Sequence, residues 1–325
     1  MAVSVATRVV PSHCIGRGVQ SGPGFNVPVS VATAPGGRMY VVCRSNMFQA
    51  RRNYIRVTMC TIDEEFLGQF TTFGQGDGQL TWPTSVAVSA DKVFVADEHR
   101  HDVQVFDLNG SFLSKWGSKG TGPGQFDRPS GLAVDRDGNV LVVDSLNHRI
   151  QKLTQDGEYI SEWGKLGSGP GELNSPWGIT VSRVTGDVYV VDWKNGRVQQ
   201  FDGDGNYKAS YGDRDGQPRL ERPAGVGVDS LGNVFVSDYT NNVVQVYAAD
   251  GGHLQTLTGD GKLSKWGAAY VAVDPEMTQL RRDHAAAVEK WETPFQGPTG
   301  VTVDDEDRIL ICESVANRIQ VYKHG

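Results

Sequence analysis

The chain has 325 residues, of which 40 are glycine, about one residue in eight against roughly 7% in ordinary proteins. Aromatic residues reach 9%, too many for a flexible low-complexity linker, and glycine has no every-third-residue period, so a collagen is excluded. The formal charge of −7 argues against a general nucleic-acid binder, and no apolar run approaches the ~18 residues of a membrane span.

In chain order, the first eight residues, Met1 to Arg8, lack the basic start and apolar core of a secretory signal. Cys14, Cys43, Cys60 and Cys312 form no CxxC and no zinc-type spacing. These features predict a soluble, cytoplasmic protein with reduced and mostly buried thiols. Residues 1–15 then read as a strand with no repeat of its own.

From Pro28 onward one unit recurs. Its clearest copy opens at Pro129-Ser130-Gly131 and passes through Asp137-Gly138-Asn139 into Val140-Leu141-Val142-Val143-Asp144. It continues through Asn147-His148-Arg149-Ile150-Gln151 and closes on Trp163-Gly164. The prolines at 83, 129, 176 and 223 lie 46, 47 and 47 residues apart, with gaps of 55 from Pro28 and 75 to Pro298. Each unit holds four short runs rich in β-branched and aromatic residues, separated by Asp-Gly or Asn-Gly turns. Four strands per unit match a propeller blade, which buries its faces only against its neighbours. The fold class expected is all-β: a single six-bladed β-propeller of four-stranded antiparallel blades. Its blades fall at 28–74, 83–117, 129–164, 176–212, 223–259 and 298–325. The last unit stops after three strands, so residues 1–15 are expected to supply the fourth and remove two exposed edges. An insertion at 262–296 carries the one good helical stretch, 283–291. It is either a lid over the channel, with Arg281, Arg282, His284 and Trp291, or a surface decoration or dimer contact.

At Pro129-Ser130-Gly131, Asn147-His148-Arg149-Ile150-Gln151, Asn195-Gly196-Arg197-Val198-Gln199 and Asn317-Arg318-Ile319-Gln320 the chain resembles the NHL-repeat family. Such propellers include enzymes, RNA binders and protein-interaction modules, so the resemblance specifies fold before function. The nearest enzyme resemblance is to the peptidyl-α-hydroxyglycine α-amidating lyase group, which places zinc-binding histidines after blade-opening prolines. Here those positions hold Val29, Thr84, Ser130, Trp177, Ala224 and Thr299, so that zinc site does not carry over. Gluconolactonase-like propellers hold calcium with axial Glu, Asn and Asp, which makes a divalent metal such as calcium the cofactor to look for. RNA-binding members use a basic face; Arg44, Arg51, Arg52 and Arg56 are thin support for one in an acidic chain.

Departures from the unit point to the site. The second strands end on Cys43, Asp97, Asp144, Asp192, Asp238 and Glu313, a near-complete carboxylate ring that either caps turns or faces a ligand. The next positions are Arg44, Glu98, Ser145, Trp193, Tyr239 and Ser314, and His99 follows Glu98. On this reading His99, Glu98 and Glu313 are the candidate acids and bases. Arg44 takes a carboxylate, Asp144 and Asp192 contact substrate, and Trp177, Trp193 and Tyr239 form flat apolar walls. The expected function is a small-molecule lyase or hydrolase at the axial mouth, acting on a polar or carboxylate-bearing substrate. The alternative is a non-catalytic scaffold for a protein partner.

Overall fold

The computed structural model describes residues 8–19, 22–44, 54–273 and 294–325. Within them the chain forms six four-stranded antiparallel sheets. Strands A to D of each blade are counted outward from the axis. The A strands are Pro28–Ala34, Pro83–Val88, Pro129–Val134, Ile179–Val181, Pro223–Val228 and Pro298–Val303. Contacts between successive A strands run around the whole circle, and the last meets the first.

The repeat is a register as well as a pattern. Pro28, Pro83, Pro129, Pro223 and Pro298 each sit opposite the last residue of their B strand, with a register shift just beyond. Proline has no N–H to give a ladder, so it is accommodated at a strand's first position. One end of the axis therefore gathers the blade-opening prolines, the B-strand ends and the B–C loops. Here we call it the mouth.

The core lies between blades rather than within them. One cluster joins Val29, Tyr40, Val42 and Val57 of blade 1 to Leu80, Val86, Val93, Val95 and Phe106 of blade 2. Each full burial of such a side chain is worth about 1.5–3 kcal/mol. On the outer rim, the C–D turn glycine of one blade meets an aromatic ring of the one before. Gly157 has φ +87 and a Cβ there would stand 2.4 Å from Trp116, so both the left-handed backbone and the close approach require glycine.

Blade 6 is completed by Val9–Ile15, which pairs antiparallel with Arg318–His324. The expected closure by the N-terminal strand is thus observed. Gly325 N–H also donates to Arg8 O at 2.9 Å. The helical stretch expected at 283–291 lies outside the described residues, as do residues 46–53. A different helix, Lys265–Val273, is present in the insertion. Ser264 caps it, its Oγ accepting Gly267 N–H at 3.0 Å. The helix packs on the seam of blades 6 and 1: Trp266 meets Phe25 edge-on, and its N–H reaches Glu64.

Four blade junctions share a clasp. His101, His148, Asn242 and Asn317 all have positive φ, and each side chain accepts a backbone N–H just before the next blade's proline. For His101 and His148 the acceptor is Nδ1, at 3.1 and 3.0 Å, so the clasp needs a neutral ring. Burial pulls both below the ordinary 6.5, although Asp127 opposes this at His101, and Asp144 and Asp192 oppose it at His148. The unfolded chain then takes protons first as pH falls. The stabilisation is complete above pH 6.5 and is lost as pH drops through the folded values. His101→Asn with His148→Asn keeps an acceptor and should flatten the fall in melting temperature between about pH 7 and 5. An unchanged slope would show that the clasps do not titrate.

Candidate ligand site at the axial mouth

The residue after each opening proline faces the axis. Val29, Thr84, Ser130, Trp177, Ala224 and Thr299 all line a channel cavity of about 70 Å³. Its other end is bridged by charge: Arg183 of blade 4 reaches Asp305 and Asp307 of blade 6 at 3.0 and 2.8 Å. Arg136 of blade 3 donates to Arg183 O in the same group.

Asp144, Asp192 and Glu313 do not face a ligand, which corrects the roles expected for them. Each carboxylate is fully buried and occupied within its own blade. Asp192 accepts Asn174 N–H at 2.7 Å on Oδ1, and on Oδ2 it accepts Asn195, Arg197 and Gln199 at 2.8, 2.9 and 3.1 Å. Asp144 repeats the set with Asp127 N–H, Asn147, Arg149 and Gln151. Glu313 does so with Gln296 N–H, Arg318 and Gln320. Asp97 and Asp238, also fully buried, accept the backbone N–H groups ahead of their blades' prolines. The ring is a set of staples between the B–C loop and the inner strand. Among the described residues no group of three or more His, Cys, Asp or Glu could hold a metal ion, so the expected calcium finds no donor set there. Cys43 is buried, and burial raises its thiol pKa despite Arg56.

Arg44 is different. Its N–H donates to Val27 O, and its guanidinium lies over the Trp82 ring, 5.2 Å from the centroid. Its Nε is buried and has no hydrogen-bond partner among the described residues. Desolvation lowers its pKa, while Glu98 and Asp97 pull the other way. Glu98 sits on the same tryptophan from the next blade, its N–H donating to Trp82 O at 3.2 Å. Burial raises the Glu98 carboxyl pKa against the opposing pull of Arg44 and Arg128. His99 is exposed on the same loop, with its backbone N–H on Asp97. Arg44, Glu98 and His99 are therefore brought together at the junction of blades 1 and 2.

The apolar candidates lie across the axis. Trp177 and Trp193 of blade 4 are both half-buried, with centroids 6.3 Å apart and planes tilted by 53°. Tyr239 of blade 5 is 39% exposed, and Leu146 and Val315 add exposed apolar side chains at the equivalent loops. Sequence reasoning missed Trp82 and Arg128, which stand immediately before the prolines of blades 2 and 3. That slot recurs in every unit and could have been compared across them.

Residues 173–201, 220–247 and 295–322 match the NHL repeat, and residues 77–154 match a 6-bladed beta-propeller family. Protein brain tumor of Drosophila melanogaster is 34% identical over 121 residues, 36% of this chain and 11% of that protein's length. A protein of unknown function from Bacteroides thetaiotaomicron superposes with a TM-score of 0.62 at 17% identity, covering 97% of this chain and 76% of the other. A catalytically inactive virginiamycin B lyase from Staphylococcus aureus, solved with quinupristin, gives 0.57 at 13% identity over 97% and 98%. Both structural likenesses are likenesses of fold.

Proposed function

With the chain identified as an NHL-repeat six-bladed β-propeller, we propose that it is a small-molecule lyase or hydrolase whose carboxylate-bearing substrate is anchored by Arg44 at the mouth. The observation that carries this reading is the desolvated Arg44 guanidinium with no partner on its Nε. Folding half-buries that cation beside Glu98 and Asp97 and, among the described residues, gives it no ion pair within contact distance. A carboxylate bound bidentately supplies the missing acceptors, and the low local dielectric strengthens the contact.

Glu98 is then placed for proton transfer. Burial holds its carboxyl pKa above the usual range, which brings it closer to neutrality, where an acid–base group works best. As carboxylate it takes a proton from the bound substrate, and as acid it returns one to the departing group. His99, exposed beside it, exchanges that proton with solvent. Lyase chemistry on the same fold in the Staphylococcus aureus protein lends support.

Arg44→Ala should weaken carboxylate binding about 10- to 100-fold, as expected for charge-assisted hydrogen bonds. Arg44→Lys should fall between, keeping the charge but losing the planar fork. Calorimetry on variants with unchanged melting temperature reads the effect. Carboxylate affinity indifferent to Arg44→Ala would falsify the anchor.

A second reading, a non-catalytic protein-interaction scaffold, is favoured by the exposed Leu146, Tyr239 and Val315 at the rim. The two separate on Glu98→Gln, which should abolish turnover in an enzyme and leave partner binding by a scaffold intact.

A further inference from the structure

The mouth has two chemically distinct halves. Arg44, Glu98 and Arg128 charge the side formed by blades 1 to 3. Trp177, Trp193 and Tyr239, on blades 4 and 5, set aromatic faces on the opposite side, beside the exposed Lys194 and Arg222. The post-proline ring is also lopsided. Five of its members are Val29, Thr84, Ser130, Ala224 and Thr299, and only blade 4 sends in a large side chain, Trp177. Trp193, from the same blade, backs that ring.

The channel below is too small for the body of a ligand. Its 70 Å³ lies below the roughly 300–1,000 Å³ of a pocket for drug-sized molecules. A ligand anchored on Arg44 that extends over the axis, and not down the channel, would meet the indole and phenol rings of blades 4 and 5. Flat π-faces reward a flat partner: aromatic pairs gain beyond the area they bury.

We propose that the ligand of this mouth is a carboxylate with a planar aromatic body, its anionic end on Arg44 and its ring among Trp177, Trp193 and Tyr239. This rests on the reading of Arg44 as carboxylate anchor and adds the class of molecule it holds. Trp193 and Tyr239 become specificity-determining residues: they choose the body of the ligand while Arg44 holds its acid group. An aliphatic acid of equal charge keeps the anchor but loses the stacking.

Calorimetry with three probes tests it: 2-naphthoate, acetate and the neutral 2-naphthalenemethanol. Wild-type protein should bind 2-naphthoate at least about tenfold more tightly than either of the others, since each lacks one of the two contacts. Trp193→Ala or Tyr239→Ala, both at accessible positions, should shrink the preference for 2-naphthoate over acetate. Arg44→Ala should weaken both acids. Equal affinities for 2-naphthoate and acetate would overturn the proposal, as would a preference untouched in both aromatic variants or an alcohol that binds as tightly as the acid. If acetate binding still depends on Arg44 in those cases, the anchor survives and only the aromatic class falls. Acid binding that ignores Arg44→Ala removes the anchor itself.

Discussion

A chain lacking residues 1–15 is expected to melt on the order of 10 °C lower, or to lose its cooperative transition. The deleted strand carries Val9, Cys14 and Ile15, all buried, and Ile15 belongs to the cluster that joins blade 6 to blade 1. At about 1.5–3 kcal/mol for each fully buried apolar side chain, the loss is on the order of 5 kcal/mol before any ladder bonds are counted. The deletion also exposes the C strand of blade 6, Arg318–His324, as an unpaired edge that invites association between copies. Further contacts go with it, including Val9 N–H on Gln255 Oε1 at 3.2 Å and Gln255 Nε2 on Val9 O at 3.1 Å. Calorimetric melting together with light scattering checks both consequences. A truncated chain that melts like the full one would mean the ring does not depend on this strand.

Asp192→Ala should be among the more damaging point substitutions, roughly 3–5 kcal/mol, because it takes from a buried guanidinium its hydrogen-bonded carboxylate and leaves only Asp213, at 4.0 Å. Arg197 donates Nε to Asp192 at 2.9 Å and is itself buried. Asn195, Gln199 and Asn174 N–H lose their acceptor in the same step. Replacing Asp192 and Arg197 together by apolar residues of similar size should restore part of the loss, since no charge is then stranded. Denaturant unfolding of the single and double variants measures the difference. Equal losses would mean that the carboxylate's own hydrogen bonds, and not the ion pair, dominate.

The six blades were legible because every blade must solve the same packing problem, so the prolines, turn glycines and apolar runs return at fixed intervals. The staples were legible too, in a signal left unread. Asp144 is followed at +5 and +7 by Arg149 and Gln151, Asp192 by Arg197 and Gln199, and Glu313 by Arg318 and Gln320. In these three blades a carboxylate that travels with an Arg and a Gln two residues apart on the neighbouring strand is held inside its blade. Exchanging Asp for Glu in blade 6 lengthened the staple without freeing it. Arg44 could be suspected as a departure from the unit, but its lack of a partner depends on what surrounds it in three dimensions, and no spacing encodes that. The helix at Lys265–Val273 was missed because Gly267 and the β-branched Val271 and Val273 are poor helix formers. Its cap and its contacts with blades 6 and 1 outweigh that propensity.

The bridge from Arg183 to Asp305 and Asp307 has a consequence for molecular traffic. With charged side chains reaching across that end of the axis and the channel itself narrow, a ligand proposed for Arg44 would enter and leave by the mouth. On the proposed reading, a product that keeps its carboxylate would occupy the cation that the next substrate needs, and release from Arg44 would pace each turn of the cycle.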